Sequence, residues 1–511
     1  MHRFLASPLK VAVAVFIAAL AFYVIAGWGI GADALDSDTL SLVLQWKLIR
    51  NGVVLDDWIL STPKFLPVVV DGTLYELGGD GAVFARSLVT SSLLVALAAA
   101  FAHLALGWQA SLATAGLLLF GRTTFSSAFG GNSTILYATF LVGAAVCFLK
   151  WPSRRAMFAG LLLLFAACLT RIEGLAYLGL AGAVLFAVSW KHERRLSFLT
   201  AGATAGLILA VFAADLWVPS TLSGRLRSAR SVTLELNERA KTIAQVTEGE
   251  GIYGQAVGRI EQGYIETAAY NLSRVIRPIV VLLPMALAGF ILILARKPLP
   301  AFLLILLAIT PLIYCAVLHF AGVALFDRFF LPTAVAIMIG AAFTIQEALK
   351  RTTALGSRRA AWVGSAAIFV VLAGLLGIGA RDIYYNKKGY LLWRADSLRE
   401  YKAGLAQLKD TDLRGKRLLV YGWHHGYTNL VLDVDTAKVD HLGDVVLIDP
   451  SDDRLARFDY LLYGKGDSDV DRLFQDVVCS DDHCSLETPS ARFETFWVSP
   501  NGEFRFFRKT S

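Results

Sequence analysis

The chain has 511 residues, 56% of them apolar and 17% charged, where soluble domains carry about a quarter charged residues; its mean hydropathy is +0.57. Apolar surface on that scale excludes a soluble fold, and continuous apolar runs in place of ten-residue alternation exclude a membrane β-barrel. The formal charge of +7 comes from Lys and Arg scattered in short clusters between apolar segments, which is a topology signal and not a nucleic-acid surface.

The chain opens on a basic lead, Met1 to Lys10, followed by an apolar run from Val11 to Ile30. The flanks resemble a signal peptide, but no small-residue cleavage site follows, so the segment reads as a retained first helix. Further apolar windows fall near 88–106, 109–122, 133–150, 156–170, 173–190, 197–217, 277–295, 300–321, 331–348 and 360–380, most of them near the ~18–20 residues that cross a hydrocarbon core as helix. That makes about eleven spans. Lys150 with Arg154 and Arg155, Lys191 to Arg195, Arg296 with Lys297, and Lys350, Arg351, Arg358 and Arg359 then all fall on the side of the N-terminus. Positive short loops mark the cytoplasmic face, so the longer loops 31–87 and 218–276, the short loop near 322–330 and everything after residue 381 face outward. The expected fold is an α-helical multi-pass membrane domain over 1–380 with a C-terminal soluble α/β domain over 381–511.

In that last domain, residues 391–409 carry helix-compatible spacing, and Arg417–Gly422, Asp444–Asp449 and Asp459–Gly464 are short β-prone runs ending in turn residues. Asn501-Gly502, between Phe496-Trp497-Val498 and Phe504–Phe507, predicts a two-residue type I′ hairpin. Cys147, Cys168 and Cys315 lie in apolar segments and read as small core residues. Cys479 and Cys484 lie close together in a polar stretch and predict a disulfide if that stretch faces an oxidising compartment.

Charged residues at the outer helix ends are the candidates for chemistry. Asp33, Asp36 and Asp38 stand where the first span leaves the membrane, where a partly desolvated carboxylate can act as a general base; the plain reading is capping and solubility. Ser37 or Asp38 is the expected cap of a helix over 39–50, whose stripe of Leu40, Val43, Leu44 and Leu48 predicts an amphipathic helix lying against the membrane surface. Arg171 and Glu173 interrupt a hydrophobic hairpin, and charges at that depth are paired or functional. His319, then Asp327, Arg328 and two Phe before Pro332, stand near the outer end of the ninth span; Arg328 is placed to hold a lipid phosphate bidentately. Tyr421 and Trp423, following a strand, offer a sugar-stacking surface, and Asn132-Ser133-Thr134 and Asn271-Leu272-Ser273 match the glycosylation acceptor pattern.

An acid just after the first span, an interfacial helix, Arg171-Ile172-Glu173-Gly174 and Arg328-Phe329 before Pro332 together resemble the membrane-embedded GT-C glycosyltransferases. These include the protein O-mannosyltransferases, aminoarabinose transferases and arabinofuranosyltransferases. Asp36 to Gly52 resembles their opening of paired acids, helix and Asn/Glu-Gly, and Thr62 to Pro67 the segment that follows. This chain has Asp36-Ser37-Asp38 where the family has adjacent acids, Ile172 in place of the commoner Pro, and Phe329 in place of Tyr. The residues following Asp38 match the family's helix start, which favours Asp38 as base with Asp36 close behind.

The resemblance implies an inverting transfer of a sugar from a polyprenyl-phosphate donor to an acceptor hydroxyl of a lipid, glycan or protein. Nucleotide sugars do not cross a bilayer unaided, so an outward-facing transferase needs a lipid-delivered donor. Arg328, with Arg171 and a basic residue of the 223–230 stretch such as Arg225, would neutralise the leaving phosphate, supported by Glu173, Asp327 and His319. Membrane lipid is the other expected partner; no nucleic acid is expected, no cofactor is certain, and a divalent metal is left open. The setting implied is a bacterial inner membrane with a cytoplasmic N-terminus and a periplasmic C-terminal domain. Three other classes bear on the same layout. A transporter would call for midplane charges and paired repeats, a polysaccharide polymerase or ligase for its key arginines and histidine in a late outer loop, and a non-catalytic sensor would use the acids only as a cap.

Overall fold

The computed structural model describes residues 7–50, 65–150, 153–171, 173–192, 194–217, 263–320, 325, 327–354, 358–409, 411–413, 415–420, 428, 431–432, 439–440, 453–464, 478–480 and 483–510. Its helices are α1 (Pro8–Ala26), α2 (Ser37–Arg50), α3 (Phe65–Ala105), α4 (Trp108–Leu119), α5 (Arg122–Gly130), α6 (Ser133–Phe148), α7 (Arg154–Thr170), α8 (Gly174–His192), α9 (Arg194–Trp217), α10 (Tyr264–Val275), α11 (Ile279–Arg296), α12 (Pro298–Phe320), α13 (Leu331–Thr353), α14 (Arg358–Asn386) and α15 (Leu392–Leu408). Among the described residues seven helices are long and apolar enough to cross a membrane, or eight if α5 and α6, bent by 118°, count as one broken span. The chain is a multi-pass membrane protein.

Lipid supplies no hydrophobic force between helices, so close packing and hydrogen bonds hold such a bundle together. Both are present. A Cβ on Gly289 of α11 would collide with the carbonyl oxygen of Gly340 on α13, so backbone meets backbone there because Gly289 has no side chain. Hydroxyls cross between helices: Ser87 donates to the Ser127 carbonyl, Ser111 to that of Ala99, and Thr333 to that of Ala308. On one face the loop after α3 is clamped by Gln346, whose amide donates to the Leu106 carbonyl and accepts from the Ala110 N–H, each at 2.9 Å. Lys297 donates to the Ala105 carbonyl beside it, and Arg296 and Lys350 pair with Glu347.

Helix α3 is two segments. Gly78 and Gly79 leave helical geometry, and the four charged residues Asp71, Glu76, Asp80 and Arg86 keep 65–87 out of the apolar run, so its membrane-spanning part begins at Leu88. Helix α14 continues through a π turn (Lys387–Leu391) into α15 with no intervening loop, which carries the spanning region straight into the C-terminal sheet.

That sheet has seven strands: β1 (Leu418–Val420), β2 (Val439–Asp440), β3 (Tyr460–Gly464), β4 (Val478–Ser480), β5 (His483–Thr488), β6 (Ala491–Val498) and β7 (Phe504–Lys509). The order is β2-β1-β3-β7-β6-β5-β4; β2-β1-β3 is parallel and the rest antiparallel. Helix α15 matches the expected 391–409, and β1 and β3 the first and third expected runs; 444–449 lies outside the described residues. The hairpin between β6 and β7 forms, but not with a two-residue turn. Ser499 donates its N–H to the Phe504 carbonyl, and Phe504 donates its own to the Ser499 hydroxyl, leaving 500–503 as the loop. Pro500, lacking an N–H, cannot continue the ladder, and the Asn501 side chain accepts from Glu503 N–H to close the turn. Cys484 is disulfide-bonded and the register sets Cys479 opposite it, while Cys147, Cys168 and Cys315 are free.

The expected surface helix is α2, and its stripe faces protein. Leu40, Val43 and Leu44, each no more than 3% exposed, share a core with Val83 of α3, Leu398, Tyr401 and Leu405 of α15, and Leu418, Leu462 and Phe506 of the sheet. An apolar stripe buries against whichever apolar face is nearest, and α15 is a feature of tertiary structure that a local pattern does not reveal. Asp33 fastens the same junction, with Arg399 at 2.9 Å and Lys402 at 2.7 Å; Lys402 also reaches Asp80 at 3.0 Å.

Candidate active site

The short segment joining α5 to α6, residues 130–134, is where distant parts of the chain meet. Gly131 sits at φ +76°, and a Cβ there would press on Leu35 and Thr39 at about 3 Å, so glycine lets the bend and the first outer loop touch. Asn132 caps α6 by accepting from Thr134 N–H at 2.9 Å and is buried; Asn271, also buried, donates to the Thr267 carbonyl within its own helix. Both acceptor-pattern asparagines are thus engaged in structure.

Asp36 reaches the bend from one side. Its N–H donates to the Gly130 carbonyl at 2.8 Å, and its Oδ1 accepts from Thr39 N–H at 2.8 Å and from the Thr39 hydroxyl at 2.6 Å. That makes Asp36 the cap of α2, in place of Ser37 or Asp38, because α2 begins at Ser37, two residues before the expected start at 39. Both of these bonds use Oδ1; Oδ2 lies 3.2 Å from where a Gly130 Cβ would stand. Asp38 sits in the first turn of α2, its side chain outside the described residues.

Two residues absent from the sequence-based candidates complete this corner. Arg86 grips Asp71 with two bonds, Nε to Oδ1 at 2.8 Å and Nη2 to Oδ2 at 2.9 Å, and Nη2 also donates to the Gly131 carbonyl at 2.9 Å. Arg86 Nη1 is buried without a hydrogen-bond partner among the described residues. Asp71 is 1% exposed; burial first, opposed by Arg86 and reinforced by the nearby Asp36 charge, pushes its carboxyl up to about 6. The sequence signal was present only as four charges flanking an apolar run, and 15 residues separate the partners.

Arg171 reaches the bend from the other side. It donates to the Thr134 hydroxyl at 3.1 Å and binds Glu173 through Nε at 3.0 Å and Nη2 at 2.6 Å. Its guanidinium lies 4.9 Å from the centre of the Phe329 ring, and that of Arg328 lies 5.9 Å from the same centre. Asp327 accepts from Arg328 N–H at 2.8 Å and faces Arg274 at 4.0 Å. Residues 130 to 134 thus carry a contact from Asp36 at one end and from Arg171 at the other, and Arg171 and Arg328 approach the same Phe329 ring. His319 is buried, its ring 5.7 Å from that of Tyr264 and 5.8 Å from that of Phe320, and so packed among aromatics. Arg225, Tyr421 and Trp423 lie outside the described residues. Among the described residues no group of three or more His, Cys, Asp or Glu could hold a metal ion.

No family model matches the sequence, and no curated protein matches it. Solved structures do match. ArnT from Cupriavidus metallidurans, bound to undecaprenyl phosphate, aligns with a TM-score of 0.57 at 13% identity over 97% of both chains. The archaeal oligosaccharyltransferase AglB from Archaeoglobus fulgidus, in complex with an inhibitory peptide and a dolichol-phosphate, aligns with a TM-score of 0.54 at 13% identity, covering 89% of this chain and 69% of that one. Both are GT-C glycosyltransferases, and this chain has their fold.

Proposed function

We propose that the chain is an inverting glycosyltransferase that moves a sugar from a polyprenyl-phosphate carrier to an acceptor hydroxyl at the outer face of a bacterial inner membrane. The observation that carries this reading is the bend at 130–134, where Asp36 and Arg171 bind residues only four apart and Arg171 shares the Phe329 ring with Arg328. An acid that takes a proton and cations that receive a phosphate are the two halves of the reaction. The lipid phosphates bound to ArnT and AglB support a carrier of the same chemistry here.

In the reaction, the acceptor hydroxyl gives its proton to Asp36 or Asp38 as its oxygen attacks the anomeric carbon. The bond to the carrier phosphate breaks on the opposite face, which inverts the centre. Arg328 and Arg171, with Arg225 from the long outer loop, neutralise the departing phosphate; Glu173 and Asp327 orient those cations, and His319 supports the helix end behind them. Trp423 and Tyr421 hold the acceptor or sugar. The spans of this scheme are eleven: α1, α3 from Leu88, α4, α6, α7, α8, α9, α11, α12, α13 and α14. This sets the N-terminus in the cytoplasm, residues 1–380 as the membrane domain, and residues 381–511 in the periplasm.

The test is transfer from a radiolabelled polyprenyl-phosphate sugar by the purified full chain, comparing Asp36→Asn, Asp38→Asn and Arg328→Gln. One of the two Asn variants loses roughly 100-fold or more in turnover, the range of a general base, and Arg328→Gln loses a comparable factor. Undiminished turnover in all three, or retention of configuration in the product, would overturn the reading.

A further inference from the structure

A second cationic site lies at the outer helix ends, apart from the bend. A cavity of about 390 Å³ opens between the start of α5, the corner from α10 to α11, and the end of α14, a size that suits a small-molecule headgroup. Its lining includes Arg122, Arg277, Arg381, Asp382, Tyr385 and Asn386. Its charges do not balance. Its lining sets three guanidinium groups, Arg122, Arg277 and Arg381, against one carboxylate, Asp382, and Arg122 feels in addition the charges of Arg274 and Asp327, which offset each other. Arg277 and Arg381 each approach Asp382 only at 3.9 Å, beyond hydrogen-bond reach. Arg122, half-buried, has no carboxylate within 4.0 Å among the described residues.

Two polar side chains in the lining are nine-tenths buried and incompletely bonded. Asn386 is 7% exposed and its Nδ2 has no hydrogen-bond partner among the described residues; Asp382 is 9% exposed and its Oδ2 has none either. A buried donor without an acceptor, beside cations that repel one another, is costly unless an anion completes the set. Guanidinium forks match phosphate oxygens geometrically. A tight apolar seam, with a free volume of only about 10 Å³, starts from the same Arg122, Arg277 and Asp382 and is lined by Leu117, Phe120, Leu282 and Leu375 between α4, α11 and α14, which sets apolar side chains next to the cavity.

We propose that this cavity is a phosphate-ester site, held by Arg122, Arg277 and Arg381 with the Asn386 amide, that takes the headgroup of an anionic lipid distinct from the sugar carrier. Among the described residues it is linked to the proposed reaction site through α5, which carries Arg122 at its start and Gly130 at its end, and through Arg274 and Asp327, and it does not depend on the donor assignment.

The experiment uses the purified full chain in phosphatidylcholine nanodiscs carrying a photoreactive phosphatidylglycerol, with peptide mapping of the crosslinks. A parallel arm adds glycerol 3-phosphate or inorganic phosphate as competitor. Crosslinks are expected in peptides spanning 277–282 and 375–390, falling at least ten-fold in Arg122→Gln/Arg277→Gln. The exposed Arg381→Glu substitution serves as a second variant that leaves the packed core untouched, and size-exclusion profiles confirm that both remain folded. Capture of the lipid without competition by the soluble phosphates assigns a lipid source; equal competition assigns the same site to a free phosphate ester. Crosslinking that is absent from both regions, or unchanged in Arg381→Glu and the double variant, would overturn the proposal. Sugar transfer is not read, so failure here leaves the glycosyltransferase reading intact, and the converse holds.

Discussion

Asp36 caps α2 and is one of the two carboxylates proposed as base, and a substitution separates these roles. Asn caps a helix about as well as Asp, whereas Ala costs about 1 kcal/mol at a cap. Asp36→Asn is therefore expected to unfold at the wild-type temperature while turnover collapses if Asp36 is the base; Asp36→Ala lowers both. If Asp38 is the base, Asp36→Asn keeps most of its turnover. Asp71 responds to pH in a definite direction. Its carboxyl titrates near 3.8 when unfolded and near 6 when folded, so the folded chain binds the extra proton between those values. The contribution of this group to stability is full below about 4 and declines as pH rises through 6. Thermal unfolding of wild type against Asp71→Asn across pH 4 to 7 checks this: the wild type should lose ground relative to the variant as pH rises, and a constant difference would refute it. Arg171 is a third case. Arg171→Ala strands Glu173, which is 12% exposed, and breaking a buried pair from one side costs roughly 3–5 kcal/mol. Arg171→Ala/Glu173→Ala should recover much of that loss in stability, but not in transfer.

Elements show where a local pattern is enough and where it is not. The stripe of Leu40, Val43 and Leu44 correctly announced a helix with one apolar face, since period is a property of the sequence. What that face meets was decided by α15, more than 350 residues later. Leu44→Ala should cost roughly 2–5 kcal/mol, the range for a truncated core leucine. It should loosen the C-terminal domain as well as the first outer loop, which hydrogen exchange in α15 would detect; loss confined to α2 would mean that the two do not share a core. In the β6–β7 hairpin, Asn501-Gly502 marked the turn and Pro500 lengthened it. Arg86 and Asp71 were invisible as a pair, because nothing in either neighbourhood indicates that Gly78 and Gly79 fold one segment back along the other's helix.

At the scale of the whole molecule, the bundle relies on backbones that touch. Gly289→Leu would drive a side chain into the Gly340 carbonyl and force α11 from α13; reduced yield of folded protein and a lower unfolding temperature are expected, with Gly206→Leu, where nothing lies within 4 Å, as the tolerated control.

Span-forming apolar runs, helix period and the short polar motifs at helix ends are properties of neighbouring residues, and they were sufficient to read a multi-pass membrane protein with a GT-C-like fold and short strands near its C-terminal end. Which motifs share a site is different in kind. Asp36, Arg86, Thr134, Arg171 and Phe329 come together around the Gly130–Thr134 bend because of how the helices that carry them pack, and that coincidence is a sum over the packing of the whole bundle. The same holds for Arg122, Arg277 and Arg381: each alone reads as an interfacial cation, and only the closure of α14 against α5 makes their charges one unmet demand for an anion.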